Sequence, residues 1–377
     1  MKVKIAFIIA FLLFPVMVSA QENSEERDAY LEGYLSTLAK EDITVKEEVA
    51  EQPVVAQPIV EQATLIPEQR TTMLEKALRN LHIELAMEYI ATVQGKQTFE
   101  VIDDSGQRIS RLSYPHKGEI WLVRGEMRLL PRISVGGRYG NSNFRKSSST
   151  DTDWLPNIAP GLVWNESISD TNIKLELYDI NIYCRLLNFD KDTPDESSQV
   201  LQMLNNWMAD KLSLDVFGGY QKQKARYKTY NLLDTIEDWR AVHTFIPGEA
   251  SFYKIKYYGP RLGLRAEGSR GKISSRLSFA YAQLKTDAFG WWNLRKYHFW
   301  QSGKNGQGLE FEAELTYKFT PHLSAGIGFN YISLKQKNLS ETGIYETDSG
   351  NNYKDLDIIR NANCSIYGPS VILKYIW

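Results

Sequence analysis

The chain reads as an all-β protein, a ten-stranded antiparallel transmembrane β-barrel with a mostly disordered acidic periplasmic extension at its N-terminus. Three observations lead to this class. From His82 onward, long stretches of alternating polarity are separated by turn residues. The final strand, Val371-Ile372-Leu373-Lys374-Tyr375-Ile376-Trp377, sets Val371, Leu373, Tyr375 and Trp377 on one face and ends on an aromatic. The first twenty residues have the form of a secretory leader. A barrel needs its last strand to pair with its first, because no open sheet edge survives in hydrocarbon. An aromatic C-terminal strand is also the signal by which such barrels reach their insertion machinery, so Trp377 predicts that partner and an outer-membrane address.

Taken in order, Lys2 and Lys4 precede an apolar run from Ile5 to Val18, and Val18-Ser19-Ala20 supplies the small residues of a cleavage site. The competing reading is a membrane anchor, but the run is short and Pro15 interrupts it. Residues 21–81 form an acidic extension. Its first fifty residues carry twelve acids against Arg27, Lys40, Lys46 and Arg70, a balance of −8, with Pro53, Pro58 and Pro67 among them. Such composition favours a solvated tether. Short helices are expected near Asp28–Leu35 and Thr71–Leu81, where they offer a periplasmic partner surface.

The barrel domain, 82–377, divides into strands near 83–102, 109–129, 132–146, 171–189, 211–228, 252–267, 272–287, 307–319, 322–337 and 361–377. Tight turns fall at Leu130-Pro131, Ser269-Arg270-Gly271 and Thr320-Pro321, which places both barrel ends in the periplasm and the long loops outside the cell. Leu309-Glu310-Phe311-Glu312-Ala313-Glu314-Leu315-Thr316-Tyr317 is the clearest case, apolar at odd positions and polar at even ones. Three glutamates on one face suit a hydrated lumen. A mean hydropathy of −0.37 fits strands with only one lipid-facing side. Aromatics at 12%, with 21 tyrosines, supply the interfacial girdles. One periplasmic connection, 190–210, is long and amphipathic where a tight turn would suffice, and predicts a helix. Cys184 and Cys364 are too few for a disulfide framework and read as isolated packing residues.

Two places invite chemistry. Asp151-Thr152-Asp153-Trp154, in the loop after the third strand, sets two carboxylates on one side of an extended segment, where they hold a water or a cation. A solvated loop has the same composition. On the hairpin of strands five and six, Tyr220, Lys222, Lys224 and Arg226 meet Lys254, Lys256 and Tyr258 on the lipid-facing side. Clustered cations at headgroup height favour the phosphates of lipopolysaccharide; ordinary interfacial snorkelling is the alternative.

Short matches in order along 85–377 then point to a family. They are Gly106-Gln107-Arg108-Ile109-Ser110-Arg111-Leu112, Leu130-Pro131-Arg132-Ile133-Ser134-Val135-Gly136, Asp151-Thr152-Asp153-Trp154, Leu186-Leu187-Asn188, Gly219-Tyr220-Gln221, Pro260-Arg261-Leu262-Gly263-Leu264, Thr320-Pro321 and Leu373-Lys374-Tyr375. The series resembles the omptins, ten-stranded outer-membrane endopeptidases of Gram-negative bacteria. The resemblance implies hydrolysis by a water held between two acids of the second surface loop and an Asp–His dyad of the fourth, with no covalent intermediate. It also implies lipopolysaccharide as an activating ligand and no metal or other cofactor. Asp151 and Asp153 match the first pair. The family's Asp-x-His falls on Trp291 and Asn293, neither of which takes a proton from water. Asp287 and His298, in the same loop, are the substitute dyad to test, with His243 behind them. Two functions therefore compete: a surface endopeptidase cutting polypeptides near basic residues, and a catalytically silent barrel with an adhesive or envelope-structural role. Ten strands leave too little bore for a diffusion porin, and nothing in the sequence supports nucleic-acid binding.

Overall fold

The computed structural model describes residues 82–103, 105–190, 210–347 and 350–377. The secretory leader, the acidic extension with its short helices and the helix expected at 190–210 all fall on or run into residues outside these. Among the described residues the architecture is one closed antiparallel sheet of eleven strands: β1 (His82–Ile102), β2 (Arg108–Pro115), β3 (Gly118–Leu130), β4 (Ile133–Trp154), β5 (Val163–Asp190), β6 (Lys211–Glu237), β7 (Arg240–Arg270), β8 (Ile273–Trp292), β9 (Tyr297–Lys318), β10 (Leu323–Thr347) and β11 (Gly350–Ile376). The count departs from ten at one place. The strand expected over 109–129 is broken at His116-Lys117, and β2 and β3 share the position between β1 and β4. The break sits opposite a bulge in β1 between Ile90 and Gln94. There Gly95 adopts φ +143°, with the Ser365 carbonyl oxygen 2.0 Å from where a Cβ would stand. The sheet closes through β11 on β1, from Glu84 opposite Ile376 to Ile102 opposite Ile359.

Alternation decides what each strand shows to either side. On β9, Leu309, Phe311, Leu315 and Tyr317 are exposed on the outer wall, whereas Glu310 and Glu314 are buried inside. The outer wall carries a belt of exposed apolar residues, among them Val123, Ile182, Leu264, Leu277, Ile327 and Val371. Trp121, Tyr281 and Tyr331 edge it on one side, Tyr317, Phe319 and Tyr375 on the other. An apolar band between aromatic rings is the surface a bilayer requires. β7 runs for 31 residues, against the roughly 9–11 needed to cross a bilayer. The barrel therefore stands well clear of the belt at the end opposite the tight turns.

The lumen is filled in layers. Nearest the turns is an ionic layer: Arg138 contacts Asp179, Glu310 and Glu312, and Arg261 contacts Asp179 and Glu310. Arg276, Arg124 and Lys374 pair with Glu314 in the same layer. Above it, Gln97 and Gln223 donate to Tyr257 Oη and Cys364 Sγ, both at 2.9 Å. Next comes an apolar and aromatic layer including Tyr114, Phe144, Ile173, Leu175 and Tyr227, all fully buried. The lumenal glutamates are thus neutralised in place. Cys364 is buried, Cys184 is exposed, and both are free.

Candidate functional site

Above the apolar layer the barrel opens into a cavity of about 280 Å³ lined by Asp151 and Asp153 of β4, Glu166 of β5, and Asp234 and Glu237 of β6. Leu112, Leu232, Ile236, Ile246, Ala250, Trp292 and Leu294 form its apolar wall; serines, a threonine and an asparagine complete it. Among the described residues, five carboxylates and no lysine, arginine or histidine line this space. An enclosed single-sign cluster focuses the field and draws cations in.

Two bulges build the cluster. Along β4 the inward positions are even as far as Phe144; a register shift between Phe144 and Ser147 then turns Ser147, Ser149, Asp151 and Asp153 inward. One extra residue moves a whole set of side chains to the other face. β6 does the same. Tyr227 and Thr229 face inward at odd positions, Asn231 takes φ +56°, and beyond it the even residues Leu232, Asp234 and Ile236 line the cavity. The Asp pair is held on both sides, Asp151 between Leu112 and Ser167, Asp153 between Ser110 and Asn165. Thr235 donates to Glu166 Oε1 at 3.1 Å, and the Arg108 guanidinium lies 5.9 Å from the Trp154 ring.

The substitute dyad is not assembled here. Asp287 is an exposed outer-wall residue of β8, paired in register with Lys256 and Ser302, and its Oδ2 accepts from Tyr258 Oη at 2.8 Å. His298 also faces outward. It lies beside Trp291 in the ladder, with Nε2 2.6 Å from Glu346 Oε1. Four residues of β8 separate their cross-strand rows, about 13 Å, and the barrel wall stands between both and the Asp pair. This corrects the expectation that the fourth loop folds them over Asp151 and Asp153. Trp291 is on the outer wall, and Asn293 donates to the Glu249 carbonyl at 2.8 Å. Trp292, between them, is the residue that reaches the cavity. His243 is exposed and does not line it. His116 is buried beneath the mouth, Nε2 3.0 Å from Tyr227 Oη and Nδ1 3.2 Å from the Ser365 carbonyl. Burial pushes its imidazole down to about 4. Glu166, Asp234 and Glu237 are the lining acids that the sequence pattern did not single out.

The basic hairpin forms as expected on the outer wall. Tyr220 is opposite Pro260, Lys222 opposite Tyr258, Lys224 opposite Lys256 and Arg226 opposite Lys254. It is not purely cationic. Lys224 is 2% exposed with Nζ 3.6 Å from Glu176, Lys222 lies over the Tyr178 ring at 5.2 Å, and Asp287 abuts Lys256.

No protein-family model matches the chain, and no curated protein matches its sequence. Solved structures do. The outer membrane protease OmpT from Escherichia coli is 17% identical, with 78% of this chain covering 97% of that one at a TM-score of 0.65. The translocator domain of the autotransporter NalP from Neisseria meningitidis is 10% identical, with 82% and 95% covered and a TM-score of 0.31, too distant to carry an argument. The chain has an omptin-like β-barrel fold.

Proposed function

We propose that this outer-membrane barrel takes basic polypeptide into its mouth from the cell surface. The carrying observation is the cavity lined by five carboxylates and, among the described residues, by no cationic side chain. In this reading the cavity end is extracellular, the tight turns and the N-terminal extension are periplasmic, and Tyr220, Lys222, Lys224, Lys254 and Lys256 hold lipopolysaccharide phosphates against the outer wall. An incoming lysine or arginine side chain exchanges water for Asp151, Asp153, Glu166, Asp234 and Glu237, while the Trp292 and Leu294 wall accepts the apolar part of its stem.

A second reading adds hydrolysis, and one observation favours it: Asp151 and Asp153 both line the cavity at i and i+2, where they hold a water against a bound peptide bond. Because no histidine among the described residues lines the cavity, proton transfer would fall to its carboxylates. One experiment tests both readings. The full-length chain is refolded into vesicles containing lipopolysaccharide and offered internally quenched peptides that are basic, neutral or acidic, with Asp151→Asn/Asp153→Asn alongside. Salt-sensitive binding of the basic peptide, weakened in the variant, supports capture. Equal binding of all three peptides overturns it. Cleavage by wild type that is lost in the variant adds hydrolysis; binding without cleavage assigns the silent scaffold.

A further inference from the structure

The outer wall beyond the apolar belt is mostly polar, as on β9 and β10, where Ser302, Lys304, Gln307, Lys335 and Lys337 are exposed. One strip breaks that rule. Phe252 of β7, Phe289 and Trp291 of β8, and His298 and Trp300 of β9 lie side by side on the outer face. Their ring centroids are 6.2 Å apart for Phe252–Phe289, 5.5 Å for Phe289–Trp300 and 5.9 Å for Trp291–His298. Trp300 is 45% exposed. Cross-strand aromatic pairs stabilise sheets, but five contiguous rings present a platform on a wall that faces water.

Its height identifies what it meets. Phe289 is eight residues beyond the girdle residue Tyr281 along β8, about 26 Å of strand. At the usual barrel tilt that is about 20 Å above the girdle. Lys285 and Asp287 come between, so acyl chains end well below the strip. The strip also continues the basic hairpin: Lys254 is opposite Phe289, and Lys256 lies one row below. A glycolipid whose phosphates meet those lysines carries its sugars outward along the same wall. Pyranose rings offer a face of C–H groups to aromatic rings and hydroxyls at their edges to polar side chains. The strip supplies both, since His298 Nε2 is 2.6 Å from Glu346 Oε1 at its border and Lys228 Nζ is 5.9 Å from the Phe252 ring.

We propose that the Phe252–Phe289–Trp291–His298–Trp300 strip binds the core oligosaccharide of the outer-leaflet glycolipid whose phosphates the basic hairpin holds. This rests on the orientation given above and is independent of what enters the mouth. The test compares the refolded full-length barrel with Trp291→Ser/Trp300→Ser, two outward-facing changes. Affinity is measured for lipopolysaccharide with a complete core and for lipid A alone, both in detergent micelles. Wild type should prefer the complete core by about tenfold, and the variant should lose that preference while keeping its affinity for lipid A. A wild type that binds both equally overturns the proposal, as does a variant that keeps the preference. A strip-dependent dimer in native mass spectra also overturns it, because a second copy would then be the occupant. Basic-peptide binding by the same variant should be unchanged, which separates this result from failure of the mouth.

Discussion

Replacing Arg138 tests whether the ionic layer holds the barrel together. Its Nη2 lies 2.8 Å from both Asp179 Oδ2 and Glu310 Oε2, and its Nη1 contacts Glu312. Arg261 reaches Asp179 and Glu310 at 3.0 and 3.2 Å. The local balance is three positive charges against three negative, because Arg124 Nη1 also lies 3.8 Å from Glu312, and Arg138 and Asp179 are both buried. Arg138→Met leaves two positive charges facing three. Removing one member of a buried ion pair costs about 3–5 kcal/mol, because the partner is left desolvated. Arg138→Met/Glu310→Gln restores the original balance of charge and should recover a large part of that loss, so the two changes are strongly non-additive. Guanidinium unfolding in lipid vesicles, followed by tryptophan fluorescence, measures both. A single variant within about 1 kcal/mol of wild type, or a double variant equal to the sum of the singles, refutes the claim that this network stabilises the barrel.

Three further outcomes are expected. Gly95→Ala forces a Cβ to within 2.0 Å of the Ser365 oxygen at φ +143° and should cost more than the roughly 1–3 kcal/mol of backbone strain alone; Gly106→Ala, at φ +81° with open space around it, should cost only the strain, and unfolding midpoints compare them. Because burial lowers His116 to about 4 from 6.5, the unfolded chain takes up a proton that the native chain refuses. Stability is therefore lost as pH falls from 6.5 toward 4, by about 3 kcal/mol at the end of that window, and His116→Gln should flatten this part of the pH–stability curve. Asp234→Asn/Glu237→Gln should weaken basic-peptide binding and reduce its salt dependence, which fluorescence anisotropy at two ionic strengths reads; an unchanged salt dependence would remove these acids from the site.

How far the sequence could be read depended on strand parity. Leu309 through Tyr317 announces its own inside and outside, and the lumenal glutamates lie where alternation puts them. The same parity, carried on from Leu277, Phe279 and Tyr281, sets Asp287 on the outer wall, so its place was legible. His298 was not. Even residues of β9 face inward from Glu310 to Gly306, but the strand then turns over near Asn305, at φ +67°, and His298 emerges outside. Bulges at Phe144/Ser147 and at Asn231 act in the opposite sense, bringing Asp151, Asp153 and Asp234 in. A single inserted residue leaves little trace in composition or pattern, because its cause is distributed over the partners on both sides. The acidic mouth is the product of such insertions, so spacing alone marks Asp151 and Asp153 as a pair while nothing in the pattern marks Asp234 and Glu237 as their neighbours.

The filled lumen restricts how a long molecule can use the barrel. With Tyr114, Phe144 and Tyr227 packed across the bore and the arginine–carboxylate layer beneath them, the cavity is a well with one opening. A polypeptide cannot be threaded through it. On the proposed reading it would dip in as a bend, insert a free end or lay one long side chain down from the rim, and would leave the way it came. Folded proteins would then be engaged only where a basic segment stands proud of the surface, so the shape of the well selects by local exposure as its charge selects by sign.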